Sequence, residues 1–128
     1  MMRKINQKST VEYLKTFYPA IQSQITELSE RNNFAGIMQT TVEQLKNLLE
    51  QAKIQSAIRN IRRMNWIYLR SNSYVRYIIE NIFIRSFDSL ERKATPQQWK
   101  FVYQEIPADF RAIYLNQNQK DKQLTNPI

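Results

Sequence analysis

Apolar residues recur at spacings of three and four along most of the chain, and that period predicts helices. Val11, Leu14, Phe17 and Tyr18 follow Ser9 and Glu12, which have the spacing of a capping box; together they predict a short first helix that Pro19 ends. Ile21, Ile25 and Leu28 share one face of a second helix, closing at Arg31, Asn32 and Asn33. The third helix has the clearest period, with Phe34, Ile37, Met38, Thr41, Val42, Leu45, Leu48, Leu49 and Ala52. The next stripe, Ile54, Ile58, Ile61 and Tyr68, lies roughly half a turn from the Leu45, Leu49 and Ala52 face at about 100° per residue. One straight helix cannot bury both stripes. A break is therefore expected near Gln51 to Lys53, followed by a fourth helix ending close to Arg70.

Ser71, Asn72 and Ser73 form a capping signal, and a fifth helix follows with Val75, Ile78, Ile79, Ile82, Phe83, Phe87 and Leu90. Tyr77 and Ile84 add apolar area on a second side, which makes this helix the expected centre of the core. Thr95, Pro96 and Gln98 combine an N-cap, a proline at the first helical position and a capping glutamine, opening a short helix with Trp99, Val102 and Tyr103. Ile106 and Pro107 restart the chain into a last helix with Phe110, Ile113 and Tyr114. After Leu115 the residues are almost all polar. Residues 1–117 thus read as a single helical domain, and 118–128 as a polar, frayed and flexible tail. The expected fold is all-α, a compact antiparallel bundle or short helical stack of six or seven helices.

Composition narrows the chemistry. The 128 residues are enough for one domain with a real core. A single glycine, Gly36, cannot supply tight β-hairpins or a glycine-rich phosphate loop. The chain has no cysteine and no histidine, which removes thiol nucleophiles, Cys/His zinc sites and imidazole acid-base catalysis. The acids have local cations: Glu80 follows Arg76, Asp88 follows Arg85, and Glu27 and Glu30 lie beside Arg31. No two carboxylates share an apolar face where one could be held protonated. The chain therefore reads as a non-enzyme with no cofactor and no metal. The longest apolar stretch, Val75 to Phe87, is interrupted by Arg76, Glu80, Asn81 and Arg85, and no apolar segment follows the basic start. A cytoplasmic protein with no membrane span is expected.

The run from Ser73 to Leu90, Ser-Tyr-Val-Arg-Tyr-Ile-Ile-Glu-Asn-Ile-Phe-Ile-Arg-Ser-Phe-Asp-Ser-Leu, is followed by Ile106-Pro-Ala-Asp-Phe-Arg-Ala-Ile-Tyr-Leu-Asn-Gln117. With the Phe-Tyr-Pro at Phe17 to Pro19, it resembles a family of small, uncharacterised, all-helical bacterial proteins of unknown function. In that family a helix rich in Val, Ile, Asn and Phe precedes a short helix and a Leu-Pro or Ile-Pro start to the last one. The resemblance implies a helical fold and a bacterial source, and no activity. Strong basic character is not part of it.

Charge supplies the one feature with partner chemistry. Lys and Arg number 19 against 11 Asp and Glu, a formal net charge of +8. Lys53, Arg59, Arg62, Arg63, Arg70 and Arg76 lie between Glu50 and Glu80 with no acid among them. On the fourth helix Arg59, Arg62, Arg63, Trp66 and Arg70 fall at helical spacing, a basic stripe expected opposite Ile54, Ile58 and Ile61. Like charges so placed repel by about a few tenths of a kcal/mol per pair. A phosphate backbone, an acidic protein surface or a folded-in carboxylate such as Glu43 or Glu91 would neutralise them. Arginine suits forked contacts to phosphate or carboxylate. An exposed Trp66 would stack on a base. The plain alternative is a solvated face with Trp66 tucked against a neighbouring helix.

Two functional readings follow. In one, the chain is an interaction protein that presents a helical surface to another protein with an acidic surface, as an immunity, antitoxin or adaptor protein does. In the other, it is a non-sequence-specific nucleic-acid binder using the same stripe. Exposed Tyr and Trp would equally suit a homodimer interface. A helix-turn-helix drawn from Pro96 to Gln117 offers only Arg111 as a reader, beside Asp109, and its turn has no glycine, so that segment reads as two core-covering helices.

Overall fold

The computed structural model of the chain describes residues 4–125. Its helices are α1 (Gln7–Phe17), α2 (Gln22–Glu30), α3 (Phe34–Glu50), α4 (Ile54–Arg70), α5 (Ser73–Ile78), α6 (Phe87–Glu91), α7 (Pro96–Glu105) and α8 (Ala108–Thr125). α5 and α6 are two ends of one rod, because the π turn Ile79–Phe83 and the 3-10 turn Ile84–Ser86 join them without leaving helical backbone. Counted that way, the described residues form seven helices, within the expected six or seven. No strand forms among the described residues. An isolated bridge between Ile5 and Ser71 ties the N-terminal segment to the end of α4, with Ile5 N–H donating to the Arg70 carbonyl at 2.7 Å.

Local chemistry sets the boundaries. α1 is capped by Asn6, whose side chain accepts from the Ser9 N–H at 2.9 Å. The expected capping box at Ser9 and Glu12 is therefore corrected: both residues lie inside the helix, because Asn6 is the residue with extended backbone three positions earlier. Asn33, Asn72 and Thr95 cap α3, α5 and α7, the last with the full reciprocal box to Gln98. Gly36 lies so close to the Asn33 cap that a Cβ there would stand 2.5 Å from the Asn33 amide nitrogen.

The break between α3 and α4 falls where the two stripes require it. Lys53 N–H reaches the Leu48 carbonyl at 2.8 Å and Ala52 N–H reaches Leu49 at 3.0 Å, while Ala52 takes a left-handed φ of 59°. This is a Schellman closure, which lets a helix stop without glycine or proline. The end of α2 repeats it, with Asn32 at φ 55° and Asn33 N–H donating to Leu28.

The α5–α6 rod is central. Val75, Ile79, Phe83, Ile84, Phe87 and Leu90 are fully buried, and the rod packs against α1, α3 and α8. Phe83 and Ile84, adjacent and both fully enclosed, lie where the π turn passes into the 3-10 turn and the regular helical register is interrupted. α7 and α8 cover the core with Trp99, Val102, Phe110 and Tyr114, as expected. The expected tail is corrected: α8 continues through residues 118–125, while residues 126–128 of that stretch lie outside the described residues. Two ties hold the helix to the rod here: Gln117, the last residue of the expected domain, donates through Nε2 to the Glu80 carbonyl at 2.8 Å, and Asp121, within the expected tail, pairs with Arg85 at 2.9 Å. Among the described residues no helix is long and apolar enough to cross a membrane.

Candidate functional site

α4 buries Ala57, Ile58, Ile61, Met64 and Ile67 and packs against α1, α3 and α7. Its flank toward α1 stays open. There an open groove of about 330 Å³ is lined by Phe17, Gln55, Ile58, Arg59, Arg62, Arg63 and Trp66. Ile58 was expected opposite the arginines and instead forms part of the same groove. The reason is helical spacing: Ile58 and Arg62 are four apart, so they are neighbours on the surface.

The structure divides the basic stripe by role. Arg63 is half-buried; its Nη1 donates to the Phe17 carbonyl at 3.0 Å, and its guanidinium lies 5.7 Å from the centre of the Phe17 ring. Arg70 folds back over Trp66, 4.0 Å from the ring centroid, and donates to the Trp66 carbonyl at 2.9 Å. Arg76, on α5, donates to the Tyr68 and Leu69 carbonyls at 3.1 and 3.2 Å and sits over the Tyr68 ring. It thus satisfies orphan carbonyls at the C-terminus of α4, where a cation is favoured. Arg62 pairs with Glu105 of α7. The neutralising carboxylate is Glu105 rather than Glu43 or Glu91; Glu43 pairs with Lys46. Lys53 is exposed just before α4 and does not line the groove. Arg59 is exposed, lines the groove and makes no hydrogen bond or ion pair among the described residues.

Trp66 is tucked in rather than free. Its ring meets Tyr13 at 5.1 Å and Phe17 edge-on at 5.6 Å, while Arg70 covers it as above. Tyr13, Gln55 and Glu105 were not singled out by sequence, and Phe17 was read only as an apolar position of the first helix. The four-residue spacing of Tyr13 and Phe17, which puts them on one helix face, is the signal that could have found that pair; nothing in the sequence linked Glu105 to Arg62, 43 residues away.

Polar ties elsewhere also differ from the local pairs expected. The Glu80 carboxylate accepts from Tyr68 Oη at 2.9 Å instead of pairing with Arg76. Asp88 accepts from Tyr114 Oη, and Arg85 turns to Asp121. Burial, followed by these hydrogen bonds to carboxylates, pushes the phenols of Tyr68 and Tyr114 up to about 12. Tyr18 is buried completely and donates to the Asn60 carbonyl at 2.7 Å; burial raises its pKa strongly, against the lowering effect of Arg63. Among the described residues no group of three or more Asp and Glu converges as a metal site would require.

No curated protein and no solved structure gives a significant match to the chain. A family model matches residues 11–120, from the middle of α1 to well along α8, and so covers the groove, the central rod and both covering helices. The chain belongs to the family of the domain of unknown function DUF7674.

Proposed function

We propose that this protein is a small, non-enzymatic, cytoplasmic interaction module that offers the α1–α4 groove to another protein with an acidic surface, in the manner of an immunity, antitoxin or adaptor protein. The supporting observation is the composition of the groove: Phe17, Ile58 and Trp66 together with Arg59, Arg62 and Arg63, and no acid in the lining. An apolar floor with a cationic rim suits a protein surface better than a phosphate backbone, which has no apolar group to place there.

The nucleic-acid reading has less to draw on. Arg63, Arg70 and Arg76 are turned toward carbonyls of their own chain, and Trp66 is covered by Arg70. Fewer guanidinium donors then remain for phosphate oxygens, and the ring face of Trp66 that Arg70 covers is not open to a base.

The test is a pull-down with the wild type and an Arg59→Glu/Gln55→Glu variant. A stoichiometric partner held by the wild type and lost by the variant is the expected result; capture of no stoichiometric partner by the wild type removes the reading. A gel shift with mixed single- and double-stranded probes at about 50 mM salt serves the alternative. A complex that weakens steeply toward about 200 mM and vanishes in Arg59→Glu/Arg62→Glu would favour nucleic acid instead.

A further inference from the structure

The arginine stripe is one feature in the sequence and two in the fold. Arg63, Arg70 and Arg76 are consumed by backbone carbonyls and aromatic rings of their own chain, and Arg62 is held by Glu105. Arg59 is the exception within the stripe. It stands on the groove rim with all its donors free of protein acceptors among the described residues. A guanidinium presents its donors as a planar fork that matches a carboxylate through two parallel hydrogen bonds. Directly beside it, Phe17, Ile58 and Trp66 line a concave space of about 330 Å³. That volume takes one or two large side chains rather than a whole helix.

We infer that the groove is a docking site for a linear acidic segment of a partner protein, in which a large apolar side chain enters between Phe17, Ile58 and Trp66 and a nearby carboxylate forks onto Arg59. The inference rests on the reading of the chain as an interaction module and names the chemistry its partner must carry. Charge complementarity identifies the occupant. The lining contains three arginines and no acid, in a chain of net charge +8, so an acidic segment is drawn in and a basic or second identical groove is repelled. Arg62 and Arg63 contribute to that field while serving as struts. Arg59 alone has a contact to gain, so it carries the specificity for the carboxylate. Gln55, on the same rim, supplies a neutral donor and acceptor for the segment's backbone.

The probe is a synthetic octapeptide with a central leucine and phenylalanine flanked by glutamates, titrated into isotope-labelled full-length protein and followed by the Trp66 indole and the backbone amides. Saturable shifts centred on Trp66, Gln55 and Arg59 are expected. Replacing the glutamates by glutamine, or the two apolar residues by serine, should each weaken binding by roughly fivefold or more. Arg59→Gln should weaken it by about tenfold, and Arg59→Lys, which keeps the charge but not the fork, by less. Arg59 is exposed and unpaired among the described residues, so both variants should retain the wild-type spectrum outside the groove. The proposal is overturned if the peptide shifts map elsewhere, if Arg59→Gln binds as the wild type does, or if a mixed-sequence oligonucleotide occupies the same residues more tightly than the peptide. The two levels separate cleanly: a stoichiometric protein partner that binds equally well to wild type and Arg59→Gln would leave the interaction module standing and remove this site.

Discussion

The Arg63 guanidinium donates to the backbone carbonyl of Phe17 at 3.0 Å, across 46 residues of sequence, and fastens the last turn of α1 to the middle of α4. A side chain that looks like surface charge in the sequence is thus a strut of the fold. Charge-assisted hydrogen bonds in partly buried settings contribute more than solvated ones. Arg63→Ala should lower the unfolding free energy by roughly 1–2 kcal/mol, while Arg59→Ala should change it by less than about 0.5 kcal/mol. Urea denaturation of the two variants beside the wild type checks this. Equal midpoints would remove the distinction between strut and free rim.

The left-handed Ala52 in the α3–α4 turn is a place where this chain gives up stability. An alanine at φ 59° places its Cβ too close to the backbone, at a cost of roughly 1–2 kcal/mol that glycine does not incur. Glycine returns part of that gain through the greater freedom of its unfolded chain. Ala52→Gly should stabilise the protein by about 0.5–1 kcal/mol, read as a higher melting temperature. A lower one would mean that the turn is not a Schellman closure.

Capping at the start of α1 separates two residues that sequence alone confuses. Asn6→Ala removes the acceptor for the Ser9 N–H and should cost about 1 kcal/mol. Ser9→Ala touches only an exposed hydroxyl and should be nearly neutral. Thermal melts of both variants decide between them, and a larger loss at Ser9 would restore the capping box to that position.

Beside the more strongly raised Tyr18, Tyr68 and Tyr114 contribute to the behaviour at high pH. Their phenols are pushed from 10.0 to about 12, so between those values the folded chain holds protons that the unfolded chain has released. Stability contributed by the neutral phenols is complete below pH 10 and is lost as pH rises through about 12. The melting temperature should therefore fall over that window, and Tyr68→Phe should flatten the fall. An unchanged slope in Tyr68→Phe would mean that burial and the bond to Glu80 do not hold the Tyr68 phenol neutral in solution.

Helix positions were legible in the sequence because burial in a helical fold imposes its period directly on the residues. The shift of stripe between Ala52 and Ile54 announced a turn with no glycine or proline to mark it, and Thr95, Pro96 and Gln98 announced the start of α7. The rod was less legible in detail. Its π turn over Ile79–Phe83 left no mark in the spacing of apolar residues, which is much the same whether the backbone bonds run to the fourth or the fifth residue. α8 ran past the expected end for a similar reason, since Gln117 and Asp121 are held by Glu80 and Arg85 from the rod rather than by an apolar stripe of their own.

The candidate site shows the division most sharply. By itself the sequence determined that six cations lie between Glu50 and Glu80, that four of them share a helix with Trp66, and that no cysteine or histidine is available for chemistry. Those are properties of composition and of a fixed rise and turn per residue. Only the tertiary structure decided which guanidiniums find acceptors, because Phe17 and Glu105 reach α4 through packing of distant segments. A guanidinium brought near an acceptor is held there by charge-assisted hydrogen bonds, whereas Arg59 is brought near none among the described residues and its donors face solvent.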